Sequence, residues 1–571
     1  MRSAGDDHLS RFTASVLLTL VLAVSFLLKL HHLGHPGIKP LDESFHALVA
    51  KNLLKHPLTP TLYDKPYLPY DYRDWQSNHI WLHKPIVPLW QMALSMALLG
   101  SSTLALRLPS AVLSTAAVWL TYAIGRELLN DRRAALIAAA LQAFNPAITS
   151  LVHGYVFSDH IDVAFLFWVE LAVWFLVRAI STGSLKWIIA AGIAQGIAFQ
   201  CKTYPAFIVS GIALIAVFLP LVGFADQTAR RWRKRELLIL LASTILTIAP
   251  WTIWCLLKFP HEFLWEQLQV FRHLNKNVEN WAAPWDRLIF DFSLRIYHVF
   301  YPAVLVAAIV LAPRAWREKN LGLTLLFAWA LGVLIPHTLA TSKTMTATLI
   351  GWPPFLLLLG AMIARAIDGD AWCLGAWFAA SVLAAIKPGV IPQQGWGYPN
   401  PPRFAVIMWQ NIWVLAHVLI SLTAALAAAL ALRRFIRRAR LPLIALASLF
   451  SLLLLAQIVQ IGWRITNNPR GDTPAFFQLA QFVHANLPPN AVLLLEPREK
   501  AEHIIAMFQV DRGVYPVIPP AVRQTAQQVR AAGGVTYLLT NRAVPLPAMS
   551  DEFLDGLRVY SLGESDLQQS P

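Results

Sequence analysis

The chain has 571 residues, of which 14% are charged and 56% hydrophobic. A charged share well below the usual value of about 25% cannot cover a soluble surface, so most of the chain is expected in lipid. The net charge of +15 does not point to nucleic acid, because much of it falls in short loops between apolar runs, where it orients membrane proteins. Disorder and a disulfide scaffold are excluded as well: the three cysteines, Cys201, Cys255 and Cys373, each lie in or beside an apolar run.

The first apolar run, about 12–30, is long enough to span and lacks a small-residue cleavage site, so it reads as an uncleaved first helix. Further spans are expected near 104–124, 134–152, 162–179, 187–201, 205–224, 237–257, 297–313, 320–337, 347–364, 371–386, 408–431 and 442–462. Four connecting loops are basic: Arg126 with Arg132 and Arg133; Arg230, Arg231, Arg233, Lys234 and Arg235; Arg314, Arg317 and Lys319; and Arg433, Arg434, Arg437, Arg438 and Arg440. The positive-inside rule puts all four in the cytoplasm. Counting the stretch 86–100 as a span would invert that assignment. It is also too short, with Pro85 and Pro88 at its start, and reads as an interfacial or re-entrant helix.

An α-helical polytopic protein of about thirteen transmembrane helices results, with the N-terminus cytoplasmic and the C-terminus outside the inner membrane. A transmembrane domain over 1–463 carries a large first outer loop, 34–103, rich in aromatics, and a second outer segment, 258–296. The remainder, 464–571, has a soluble composition. It reads as helix Pro474–Ala485, strand Ala491–Leu495, helix Ala501–Phe508, helix Pro520–Ala532 and strand Val535–Thr540, a small periplasmic α/β domain on the outer face.

Several charged residues fall on the outer side, at the membrane boundary. Asp42 and Glu43 follow the first span directly; such a pair at the membrane boundary is a candidate site, although Asp42 could also cap a helix through Phe45, Leu48, Val49 and Leu53. Lys84 heads the surface helix, Asp159 and Asp162 bracket His160 where the third span leaves the membrane, and Lys202 and Lys343 sit in very short loops. By the charge-derived topology Asp42, Lys84, Asp159, Lys202 and Lys343 share the outer side. Lysines in short outer loops break the orienting rule, and a shared anion supplies a reason. His46, His79, His83 and His273 have no compact metal-ligand spacing, so no metal is expected and no cofactor is required.

These marks resemble the membrane-embedded GT-C glycosyltransferases, in the polyprenyl-phosphate-sugar-dependent branch of protein mannosyltransferases and lipid A aminoarabinose transferases. The matching features run over 38–355: Asp42-Glu43, the Lys84-Pro85 step, Arg107-Leu108-Pro109-Ser110, Asp159, Lys202 after Gly196-Ile197-Ala198-Phe199-Gln200-Cys201, and Ser342-Lys343 before Pro353-Pro354. The chain departs from the family pattern at four positions. Phe45 stands where a basic residue is frequent, His83 where an acid precedes Lys-Pro, and Ala347 and Thr348 where a tyrosine follows Ser-Lys.

The resemblance implies a transferase moving one sugar from an undecaprenyl-type phosphate to a hydroxyl or phosphate of a lipid, glycan or protein acceptor at the outer face, with inversion. Asp42 would be the base, with Asp159 and Glu43 beside it, and Lys84, Lys202 and Lys343 would bind the donor phosphate. Asp162, His46, His83 and Tyr204 are candidate sugar or acceptor contacts. The alternative, a polyprenyl-phosphate or glycolipid flippase, predicts repeated halves and charges at the midplane, whereas the halves look unrelated and the apolar cores are nearly free of charge.

Overall fold

The structure, a computed structural model, describes residues 9–155, 160–224, 234–279, 281–283, 300–344, 346–385, 440–467, 474–553 and 556–563, with isolated positions at 423, 427, 430 and 431. Asp159, most of the expected span 408–431 and most of two basic loops lie outside the described residues.

Among the described residues, seven helices are long and apolar enough to cross a membrane, or eight if one bent pair forms a single span. In chain order the first elements are α1 (Arg11–Leu30), α2 (Asp42–Leu53), α3 (Ile86–Leu99), α4 (Thr103–Leu129), α5 (Arg132–Ala143), α6 (Pro146–Val152), α7 (His160–Thr182) and α8 (Leu185–Lys202). Next come α9 (Ile208–Phe218), α10 (Lys234–Lys258), α11 (Pro260–Asn275), α12 (Tyr301–Arg317), α13 (Leu321–Leu339), α14 (Trp352–Ile367) and α15 (Ala371–Ala385), and then α16 (Arg440–Thr466). The stretch expected as one span at 134–152 is broken between α5 and α6 by 46°. Asn145 accepts from the Ala147 N–H and Pro146 opens α6, so the second helix starts on its own cap where the first must stop. The apolar stretch 86–100 forms α3, a short helix packed on α2 and α4.

The helices close up through small residues. α7 packs between α4 and α8, and α8 lies against α10 at Gly192 and Gly196, where added Cβ atoms would sit 2.5 Å from Leu240 O and from Thr247 Cβ. One end of the bundle gathers basic loops: Arg133 donates to Asp368 at 2.9 Å, Arg314 to Asp370 at 2.9 Å, and Arg440 to the Ile367 carbonyl at 2.6 Å. The other end carries α2, α3, α11 and the C-terminal unit.

That unit holds α17 (Pro474–Asn486), β1 (Ala491–Leu495), α18 (Glu502–Val510), β2 (Gly513–Pro516), α19 (Val522–Ala531), β3 (Val535–Thr540) and β4 (Arg558–Ser561). The sheet order is β2-β1-β3-β4, with parallel pairs around β1 and an antiparallel edge at β4. Its apolar core is continuous with that of the first loop. Tyr63 stacks on Tyr515 at 4.6 Å, the Tyr67 N–H donates to Tyr515 Oη at 2.8 Å, and Lys51 donates to the Phe508 carbonyl at 2.7 Å.

Candidate active site

Asp42 and Glu43 are the first two residues of α2, and the residue before them, Leu41, holds φ at 73°. Asp42 therefore caps nothing with its side chain; it sits in the first turn, a favourable place for a carboxylate. Successive helix residues point about 100° apart, and the pair divides accordingly. Asp42 stays one-third exposed and faces Lys84, Oδ1 to Nζ 3.4 Å. Glu43 is fully buried.

Around Glu43 the chain builds a clamp. Arg107 Nε donates to Oε1 at 2.7 Å, His160 Nε2 lies 3.1 Å from the same oxygen, and the Lys39 N–H donates to Oε2 at 2.7 Å. Arg107 also donates to the carbonyls of Leu33 and His35, fixing the connection from α1 to α2. Ser110, one helical turn on from Arg107, faces His160 Nδ1 at 3.3 Å. The Arg107-to-Ser110 motif thus acts as a bracket around Glu43. Gly154 completes it: its φ is +61°, and an added Cβ would lie 2.5 Å from Glu43 Oε1. Burial works to raise the Glu43 carboxyl, but the guanidinium and imidazole beside it outweigh that and hold it well below the usual carboxylate range.

Two of the three lysines come from helix ends. Lys202 closes α8, pairs with the fully buried Asp162 in the first turn of α7, and is followed by Thr203 at φ 58°. Lys84 precedes Pro85, the N-cap of α3. Lys343 is buried in the turn after α13; its Nζ donates to the carbonyls of Ala283 (2.9 Å) and Ala340.

The element that joins these segments is α11, which the sequence reading did not resolve. Its Glu262 accepts from Tyr70 Oη at 2.9 Å, Glu266 meets His83 Nδ1 at 3.2 Å, and Gln267 accepts from Tyr204 Oη at 3.2 Å. At its C-terminal end the His273 carbonyl accepts from the Ser342 N–H at 2.9 Å. The His83-Lys84 step, the Lys202-Tyr204 turn and the Ser342-Lys343 turn are therefore all tied to one helix. His83 stacks on Trp75 at 4.4 Å, and Glu266 brings to it the carboxylate that its own position lacks. Burial lowers His273, where Lys84 and His83 add to the effect. His46 is buried inside α2, edge-on to Trp81 at 6.0 Å. Among the described residues no group of three or more His, Cys, Asp or Glu side chains could hold a metal ion.

Comparison with known proteins agrees with the motifs. A family model described as dolichyl-phosphate-mannose-protein mannosyltransferase matches residues 83–254. The undecaprenyl phosphate-alpha-4-amino-4-deoxy-L-arabinose arabinosyl transferase of Pseudomonas aeruginosa is 27% identical over 327 residues, covering 53% of this chain and 54% of the relative. A second such transferase, of Pseudomonas fluorescens, is 25% identical over 362 residues, 61% of this chain and 59% of its own. The chain thus matches little more than half the length of these curated relatives. In fold, ArnT from Cupriavidus metallidurans bound to undecaprenyl phosphate aligns with 97% of this chain and 98% of its own, at a TM-score of 0.58 and 14% identity. The Archaeoglobus fulgidus oligosaccharyltransferase aligns with 93% of this chain and 70% of its own at 0.54 and 13% identity. In sequence, with a family match over residues 83–254, and in fold along most of its length, the chain resembles the GT-C membrane glycosyltransferases, in the polyprenyl-phosphate-sugar-dependent branch.

Proposed function

We propose that the protein is an integral membrane glycosyltransferase that moves a single sugar from a polyprenyl phosphate to an acceptor hydroxyl or phosphate at the outer face of the inner membrane. The observation that carries this reading is the Asp42–Lys84 pair, a carboxylate and an ammonium 3.4 Å apart and both partly exposed, at the loop end of an ArnT-like bundle. In the reaction, the acceptor oxygen attacks the anomeric carbon, the bond from that carbon to the phosphate oxygen breaks, and the polyprenyl phosphate departs with the electron pair. Attack from the side opposite the departing phosphate inverts the anomeric centre, and Asp42 takes the proton of a hydroxyl acceptor as the new bond forms. Asp159 shares in orienting the acceptor.

The leaving phosphate needs charge stabilisation more than it needs a proton. Lys84, Lys202 and Lys343 supply it from three segments joined by α11, in a boundary layer poor in water where each contact counts for more than in bulk. Glu43 does not face the donor in this reading; its clamp sets the start of α2 and so the direction of Asp42. Tyr204, His83 and Asp162 line the flanks, and no cofactor takes part. Thirteen spans put the N-terminus in the cytoplasm and the C-terminal α/β unit outside, and the basic loops at the opposite end of the bundle support that sidedness. Acceptors of this reading are lipid A, an envelope glycan or a protein hydroxyl.

Mass spectrometry of envelope lipids and glycans from cells expressing wild-type protein or Asp42→Asn tests it. A product one sugar heavier in wild type and missing in the variant is expected. Equal product in both strains would remove Asp42 as base, and no added sugar in either would remove the transferase.

A further inference from the structure

Glu170 lies near the middle of α7, fully buried, in a span whose neighbours are almost all apolar. Its carboxyl meets two other helices. Thr121 Oγ1 of α4 is 2.8 Å from Oε2, and Gln142 Nε2 of α5 is 2.8 Å from Oε1. Thr121 Oγ1 and Gln142 Oε1 are 2.6 Å from each other. All three side chains are buried, and three contacts among three groups close a ring.

The hydrogens can be counted. A threonine hydroxyl carries one, and a glutamine amide meets one ring neighbour through nitrogen and the other through oxygen, so it supplies one more. Two hydrogens cannot make three bonds. Were Glu170 ionised, one oxygen–oxygen contact of hydrogen-bond length would set lone pair against lone pair where water cannot intervene. Turning the Gln142 amide over does not help. Its nitrogen then donates to Thr121, Thr121 donates to Glu170, and the amide oxygen faces Glu170 Oε1 with no hydrogen between them. In both orientations the third hydrogen must sit on Glu170. Among the described residues the carboxyl has no cationic neighbour to favour the charged form.

We propose that Glu170 is held as the neutral acid, closing a charge-free ring that locks α7 to α4 and α5, and that it is a positioning residue for the candidate site. α7 carries His160 and Asp162, and α4 carries Arg107 and Ser110, so the ring sets the spacing between the two walls of the Glu43 clamp. The lever is roughly 15 Å long, ten residues of helix. The ring itself rests on geometry alone, and only its effect on turnover rests on the transferase reading.

The test is an infrared difference spectrum, wild type minus Glu170→Gln, in nanodiscs at neutral pH. A protonated-carboxyl C=O band is expected in wild type, missing in Glu170→Gln and displaced in Thr121→Val. A difference showing only ionised-carboxylate bands overturns the proposal. Glutamine at 170 can keep the ring, its amide donating to Thr121 and its oxygen accepting from Gln142, so Glu170→Gln should melt and turn over as wild type does. Glu170→Ala should melt a few degrees lower. A Glu170→Gln protein as unstable as Glu170→Ala would equally overturn it. If neither wild type nor variant transfers sugar, the spectral and melting results still decide the ring, while the transferase reading fails separately.

Discussion

Neighbouring carboxylates at 42 and 43 differ because a helix turns them to different surroundings. Breaking a buried ion pair by removing one partner costs about 3–5 kcal/mol, and both Glu43 and Arg107 are within 1% of full burial. Glu43→Gln is therefore expected to lower the denaturation midpoint strongly and, because the clamp aims Asp42, to lower the turnover of the molecules that stay folded. Asp42→Asn should leave melting unchanged, with turnover down about 10²–10⁴-fold. Acid should spare the clamp: the depressed Glu43 contributes stability above the unfolded carboxylate value near 4.3, lost only as pH falls through its lower folded value. Melting curves at stepped pH check the sign. Leu41 and Thr203, both non-glycine residues at positive φ, adjoin Asp42 and Lys202, and such strain costs about 1–3 kcal/mol. Leu41→Gly should raise the melting temperature and lower turnover, since the relaxed turn no longer aims Asp42; a variant that gains both would contradict this. None of this division was legible in the sequence, where Asp42 and Glu43 stand side by side and the partner that separates them is 64 residues away.

At the scale of elements, apolar runs disclosed most helices because length and hydropathy are local properties. α11 escaped because its composition is mixed, although Pro260 at its first turn, Glu262 beside it and Arg272 with His273 in the last turn are helix-boundary signals. The same applies to the α5–α6 break, announced by Asn145-Pro146. Strands β2 and β4, of four residues each, are too short to show a period. The resemblance marked the Arg107-to-Ser110 motif but not its task, which only the contacts to Glu43 and His160 disclose. Because α11 ties the three lysine segments together, Glu266→Ala should reduce turnover through His83 without loss of expression, and Glu266→Asp should restore part of it. Activity assays on the purified pair, normalised to folded protein, check this. Equal activity in Glu266→Ala and wild type would remove α11 from the site.

For the whole molecule, the C-terminal unit and the first loop share one apolar core, so the unit is expected to steady the loop that carries Lys84. His503 on α18 is buried, which lowers it to about 4, with Asp74 of the first loop pulling the other way. A lowered histidine keeps its stabilising effect above the unfolded value near 6.5. That effect is lost at about 1.4 kcal/mol per pH unit as pH falls toward 4, or about 3 kcal/mol in all. Melting of the C-terminal unit should therefore fall over that window, and His503→Phe should flatten the slope.

Binding of polyprenyl phosphate to purified protein tests the central claim most directly, because it asks whether Asp42 and Lys84 meet a lipid-borne anion. Lys84→Ala is expected to weaken binding about tenfold, roughly 1.4 kcal/mol. Asp42→Asn, which releases Lys84 from its partner, should bind as tightly as wild type or more tightly. Unchanged affinity in Lys84→Ala, together with weakened affinity in Asp42→Asn, would contradict the account.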